Sequence, residues 1–383
     1  MLIFCLFFPM NAVANDEQPF NEQEFFKEQL EQLPINEIKQ YWETIVQEYG
    51  GFLPESEKSS FMEYVRGEKE FSIKEWLNGL LKFFFHELIM NGKLLGTIIL
   101  LTLFAAVLQT LQTAFEQQTV SKVAYAITYM VLIIIALNSF YMTTKYASDA
   151  ISSMIHFMIA LIPIILALMA SIGNIASVAL FHPLIVFLVN TSGLVVKYLV
   201  LPLLLFSLVL SIVSTLTNQY KVTKLANFFR NISLGSLAVF LTVFLAVISV
   251  QGASTAVADG ITIRTAKFFA SNFIPVVGRM FTEATDTVVG ASLLLKNTVG
   301  LAGLAILVLL CAFPAIKVLS IAFIFHLASA ILQPLGNGPI IECLSVMGKT
   351  VLIVFAALAT VCFMFFLTIT IIVASGNMAV MIR

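Results

Sequence analysis

An all-α fold, arranged as a polytopic bundle of membrane-crossing helices behind a small helical head, follows from three features of the sequence. Hydrophobic residues make up 59% of the 383 and charged ones only 11%, where soluble domains carry about 25% charged. Apolar runs of roughly 18 residues or more, long enough to cross a ~30 Å hydrocarbon layer, recur along most of the chain, and mean hydropathy is +0.96. The runs are continuous rather than alternating, so backbone groups deprived of water must be satisfied within helices and not between barrel strands.

The N-terminus, Met1 to Ala14, has an apolar core from Leu2 to Phe8, a break at Pro9 and the small-residue pattern Ala12-Val13-Ala14. This predicts a secretory signal cleaved after Ala14; because the start carries no Lys or Arg, an uncleaved anchor is the alternative reading. A cleaved signal delivers the following segment across the membrane. That segment, 15–92, is an acidic head: between Asn15 and Asn91 the net charge is −9, against +8 for the remainder, for a total of −1. Within the head, Asn21-x-x-Glu24 opens a helix that Pro34 ends. From Asn36 the residues Ile38, Tyr41, Trp42, Ile45, Val46 and Tyr49 follow a helical period up to Gly50-Gly51. A third helix starts at the capping box Ser72-x-x-Glu75 and carries Ile73, Trp76, Leu77, Leu80, Leu81 and Phe84 towards the membrane. So short a head has a marginal core of its own, and docking on a partner or on the membrane surface is expected to assist it.

About nine spans are expected by length and hydropathy. Six fall in 93–250, at Leu94 to Leu111, Val123 to Met142, Ile151 to Ile172, Ala176 to Val196, Tyr198 to Leu216 and Ile232 to Val250. Three fall in 299–383, at Val299 to Ala315, Val318 to Leu332 and Thr350 to Val373. With a translocated head, Lys122, Lys221, Lys224, Arg230, Lys317 and Arg383 lie on the cytoplasmic side, as positive charge tends to. Pro163, Pro183, Pro202 and Pro314 fall in or beside spans and predict kinks. Gly300, Ala302, Gly303 and Ala305 would let helices approach closely.

Between the two sets lies a charged segment, 251–298, too charged for an ordinary span and too apolar for a solvated loop. It reads as re-entrant, interfacial or amphipathic. Arg264 and Lys267 share a helix face after an Asp259-Gly260 turn, Pro275 breaks the chain, and Arg279, Glu283 and Asp286 share a stripe of the next helix. A charge at membrane depth costs about 2.5 to 3.5 kcal/mol on insertion scales, so these six residues must pair, face water or line a cavity. Two readings stay open: a polar pathway wall, or a charge pair between Arg279 and Glu283 that ties the bundle together.

Enzymatic motifs are missing. His86-Glu87 lacks the second histidine of a zinc protease helix, and Val373-Ala374-Ser375-Gly376 lacks the first glycine of a serine nucleophile turn. His156, His182 and His326 stand on separate spans, and the cysteines Cys5, Cys311, Cys343 and Cys362 form no CxxC. There is no phosphate-binding glycine loop. No catalytic residue, cofactor, metal or nucleic-acid partner is expected.

Several stretches, Tyr49-Gly50-Gly51-Phe52-Leu53-Pro54-Glu55, Asp259-Gly260-Ile261-Thr262-Ile263-Arg264-Thr265-Ala266-Lys267, Pro275-Val276-Val277-Gly278-Arg279 and Asp286-Thr287-Val288-Val289-Gly290-Ala291, resemble the stage III sporulation protein AE family of endospore-forming bacteria. The resemblance runs along nearly the whole chain. It implies a multi-pass subunit of a complex in the mother-cell membrane around the forespore, with the head in the intermembrane space. Implied partners are other stage III sporulation proteins, a secretion-type ATPase that would supply the energy this chain has no loop for, and a forespore membrane protein. The implied role is in a channel or feeding conduit that sustains late forespore development, and no catalytic residue is carried over. The competing expectation is a stand-alone secondary transporter of a small solute that uses the charged 259–286 segment.

Overall fold

The computed structural model describes residues 35–54, 73–114, 119–216, 221–273, 277–335 and 338–381. The expected signal, the helix from Asn21 to Pro34, the capping residue Ser72 and Cys5 lie outside them. Among the described residues every regular element is helical. In chain order they are α1 (Asn36–Tyr49), α2 (Ile73–Met90), α3 (Gly92–Ala114), α4 (Thr119–Ser171) and α5 (Ile175–Leu194). A π-helical segment (Val195–Val200) follows, then α6 (Leu201–Leu216), α7 (Thr223–Phe273), α8 (Val277–Leu332), a short 3-10 turn and α9 (Pro339–Met381).

Among the described residues the nine expected spans fall on six helices long and apolar enough to cross a membrane, at Gly92–Thr110, Lys122–Ser171, Ile175–Leu216, Thr223–Ser254, Val289–Leu332 and Pro339–Asn377. Three expected loops are helical. The interludes Thr143 to Ala150 and Ala315 to Val318 contain polar residues but no Gly or Pro at which a helix would stop, so α4 and α8 run through them. The third interlude, at Lys197, is absorbed by the π-helical segment, which joins α5 to α6 without a reversal. A continuous helix crosses a bilayer once, so these pairs are not separate spans. Pro163, Pro183 and Pro314 lie inside α4, α5 and α8.

The long helices lie side by side in antiparallel register. Gly173, at φ 96°, supplies the left-handed residue that reverses α4 into α5. Below that turn Gly193 packs against Ile155, Lys197 Nζ donates to Ser152 Oγ at 2.6 Å, and Tyr129 meets Thr215 at 2.6 Å. Returning along this hairpin, α7 is tied by Ser207 Oγ to Ala226 O at 2.8 Å and by Ser233 Oγ to Val200 O at 3.1 Å. In the α8–α9 hairpin a Cβ on Gly300 would come within 2.6 Å of Val373, while one on Gly303 would come equally close to Leu161 of α4. These two glycines of the small-residue stripe therefore mark close helix crossings. From Tyr129 to Ser171 α4 alone rises about 63 Å, roughly twice the thickness of a hydrocarbon layer.

The core centres on the C-terminal half of α4, where Met154, Phe157, Met158, Leu161, Ile162, Ile165 and Met169 are fully enclosed by α5, α8 and α9. The head helices do not form a separate core. The expected stripe of α1 is present, with Ile38, Trp42, Ile45 and Tyr49 buried, but it is buried against the bundle. Tyr41 meets Phe157 edge-on at 5.4 Å, and Tyr49 stacks on Phe313 at 4.0 Å. Phe83 of α2 completes an aromatic cluster with both Tyr49 and Phe313. Each such ring pair adds about 0.5–1.5 kcal/mol beyond area burial, which compensates for the small size of the head.

Candidate functional site

At the end of the bundle marked by the Gly173 turn, four helices converge on a buried polar junction. Ile175 opens α5 after Asn174, whose side chain makes no cap for its own helix. The missing acceptor comes from another helix: the Asp259 carboxylate of α7 accepts from Ala176 N at 3.0 Å and from Ser177 N at 3.2 Å. Asp259 is 1% exposed. A carboxylate at a helix N-terminus satisfies free N–H donors and complements the helix dipole, by up to about 2 kcal/mol in a partly buried setting. Asp259 is therefore not a turn residue. The α7 helix runs unbroken through Asp259-Gly260, since one Gly in a helix interior costs only ~1 kcal/mol relative to Ala.

Lys296 of α8 is the second charge of the junction and is completely buried. Its ammonium donates to Asn377 Oδ1 at 2.7 Å and to Val373 O at 3.0 Å, both on α9. Among the described residues no carboxylate lies within salt-bridge distance of it. Asn174 Nδ2 donates to Gly376 O at 3.4 Å, and Ser375 Oγ donates to Gly252 O of α7 at 3.3 Å. Gly376 leaves room for the ammonium: a Cβ there would lie 2.5 Å from Lys296 Nζ and 3.3 Å from Asn174 Nδ2, so a larger residue would push the lysine tip aside. The junction thus ties α5, α7, α8 and α9 together through one buried anion, one buried cation and the amides between them.

A second polar region lies at mid-height. A cavity of about 330 Å³ is lined by Tyr41, Thr44, Glu48, Tyr146, Asp149 and Lys317, among others, so that α1 forms one wall. Lys317 approaches Glu48 at 3.5 Å and lies over the rings of Tyr49 and Tyr146. The Glu48 side chain is 54% exposed, so this ion pair contributes little beyond position. Burial, with Glu48 alongside, holds the Tyr49 hydroxyl well above the usual phenol range, so it remains neutral. A third cavity, about 470 Å³, opens where α8 and α9 meet and is lined by His326, Ser329, Gln333, Glu342 and Ser345.

Of the six residues the sequence singles out, the side chain of Asp259 alone lies within the described part, and it enters the junction. Arg264 and Lys267 fall on the last turns of α7, and Arg279, Glu283 and Asp286 on the first turns of α8. The backbone at all five is helical, and their side chains lie outside the described part. Lys296, Asn174 and Asn377 are not in the expected set. A usable signal existed for Lys296: it is a lone cation between Leu293-Leu294-Leu295 and a long apolar run, with no acid three or four residues away. Asn174 and Asn377 are joined to it only by tertiary structure.

Long apolar helices with charges withdrawn into buried junctions define a multi-pass helical membrane protein. The family model described as Stage III sporulation protein AE matches residues 56–376. Stage III sporulation protein AE of Bacillus subtilis (strain 168) is 59% identical over 378 residues, covering 98% of this chain and 95% of that protein. The chain belongs to the stage III sporulation protein AE family and is a sporulation membrane protein. No solved structure matches it.

Proposed function

We propose that this chain is a non-enzymatic integral membrane subunit of a channel or secretion-like complex that joins mother cell and forespore. In this reading residues 1–14 are a signal, and the head faces the space between the two membranes from the mother-cell side. The other stage III sporulation proteins surround it, a secretion-type ATPase supplies energy, and a forespore membrane protein meets it across the gap. The family match over most of the chain carries the proposal. It is supported by the lack of any nucleotide-binding loop in a sequence whose helices are otherwise suited to a membrane.

The chemistry of the chain fits a scaffold or gate. Its buried charges face backbone and amide groups, an arrangement that holds helices together without needing a substrate. The transporter alternative draws on the same geometry, since a helix N-terminus facing a charge inside the bundle is a feature that carriers also use. Deleting the gene in sporulating cells separates the two readings. The complex subunit predicts completed engulfment followed by failure of late forespore gene expression, read with a forespore reporter. Undiminished reporter activity would overturn it.

A further inference from the structure

The α8–α9 hairpin brings two thiols face to face. A Cβ on Gly300 of α8 would come within 2.6 Å of Val373 of α9, and this close crossing sets the antiparallel register of the pair. Cys311 lies eleven residues beyond Gly300, and Cys362 eleven residues before Val373. Eleven residues make about three turns of α-helix, so each cysteine returns to the face that carries the crossing and the two stand opposite each other. Beyond them, a Cβ on Gly348 would lie 2.9 Å from the His326 ring, so the helices stay close on that side as well. The thiols of Cys311 and Cys362 lie within hydrogen-bond reach of one another.

Their setting is apolar. Cys311 is buried and Cys362 partly exposed, and the stretches 297–316 and 350–377 that carry them contain no Asp, Glu, Lys or Arg. The partner each sulfur has is the other sulfur. Cys343, by contrast, faces Tyr129 of α4. Among the described residues no three His, Cys, Asp or Glu side chains are grouped so as to hold a metal ion. Two sulfurs without further ligands suit a covalent link rather than a zinc site, which takes four.

We propose that Cys311 and Cys362 form a reversible oxidation site, whose co-substrate is a small uncharged peroxide and whose product is a disulfide that locks α8 to α9. An uncharged oxidant can enter an apolar hairpin that a charged one cannot. Cys362, the more accessible sulfur, loses its proton and attacks a peroxide oxygen; the O–O bond breaks, the sulfur becomes a sulfenic acid and one water leaves. Cys311 then attacks that sulfur, the S–S bond forms, and the hydroxyl departs with the Cys311 proton as a second water. Two thiols are oxidised and one hydrogen peroxide is reduced to two waters. A dithiol reductant restores both thiols by exchange. Because α9 also supplies Val373 O and Asn377 Oδ1 to Lys296 of α8, the link fixes the register on which that buried cation depends.

The full chain in its native membranes is exposed to hydrogen peroxide at a dose that also oxidises added glutathione. It is then denatured with N-ethylmaleimide, proteolysed and read by mass spectrometry. The expected product is a peptide pair linked through Cys311 and Cys362 and released by dithiothreitol, with Cys343 carrying maleimide; Cys343→Ser should leave the link intact. Recovery of Cys311 and Cys362 as maleimide adducts, when the glutathione is oxidised, would overturn the site. So would a link to Cys343, or sulfinic acid at Cys362 in place of the link. In detergent, the linked form should exchange its amide hydrogens several-fold more slowly across Val299–Phe313 than the same sample after dithiothreitol. Equal exchange in the two forms would overturn the lock. Neither readout depends on membership of a complex.

Discussion

Removing the Asp259 carboxylate should destabilise the junction by a predictable amount. In Asp259→Ala two buried donors, the N–H groups of Ala176 and Ser177, lose their acceptor. Each orphaned donor costs about 1–3 kcal/mol. Relief from burying a charge offsets part of that, for a net loss of about 2–4 kcal/mol. Asp259→Asn keeps an acceptor oxygen and loses mainly the charge–dipole term, about 1–2 kcal/mol. The shift per kcal/mol falls with size, from roughly 2–4 °C at 150–250 residues to about 1–2 °C at twice that length, so alanine should lower the melting temperature by roughly 2–8 °C and asparagine by about half as much. Cys311 and Cys343 are buried and free, so a thiol-reactive fluorogenic dye reports unfolding of the detergent-solubilised protein directly. An alanine variant that melts with the wild type would refute the capping role. If the same variant had also lost function, Asp259 would be reassigned to a pathway.

Gly376→Ala should displace the Lys296 ammonium from its acceptors and cost about 1–3 kcal/mol as overpacking. Met is one atom shorter than Lys, so Gly376→Ala with Lys296→Met should lose less than the sum of the two single changes, measured by the same melting assay. Tyr49→Ala should release α1 from the bundle at a cost of about 3–5 kcal/mol, read as loss of hydrogen-exchange protection across Asn36–Tyr49, whereas Tyr49→Phe should keep the Phe313 stack and most of that protection. If Arg279 and Glu283 act as a charge pair, the double alanine variant should support sporulation better than either single variant; a pathway role predicts loss in all three while the protein still inserts.

The sequence indicates the helical membrane architecture strongly, because both composition and continuous apolar runs are local properties. Its division into spans is less legible. Polar interludes such as Thr143 to Ala150 look like loops on a hydropathy plot, yet nothing in them ends a helix, and in a bundle of tall helices they meet polar partners at mid-height. The α1 stripe can be read from its period, but its docking surface cannot, since Phe157 and Phe313 are more than a hundred residues away. Asp259 stands out as a charge in an apolar neighbourhood, while its role depends on α5, whose N-terminus the fold brings to it. Lys296 is visible by the same criterion, and the acceptors that make it tolerable come from α9.

The central claim is that this chain works as one subunit of a membrane complex. Purifying the tagged full-length protein from membranes of sporulating cells, with mass spectrometry of what accompanies it, tests that claim most directly. The account predicts recovery of the other stage III sporulation proteins, including the ATPase. Recovery of the protein alone, with the same preparation sustaining solute uptake in vesicles, would contradict it and establish an independent transporter.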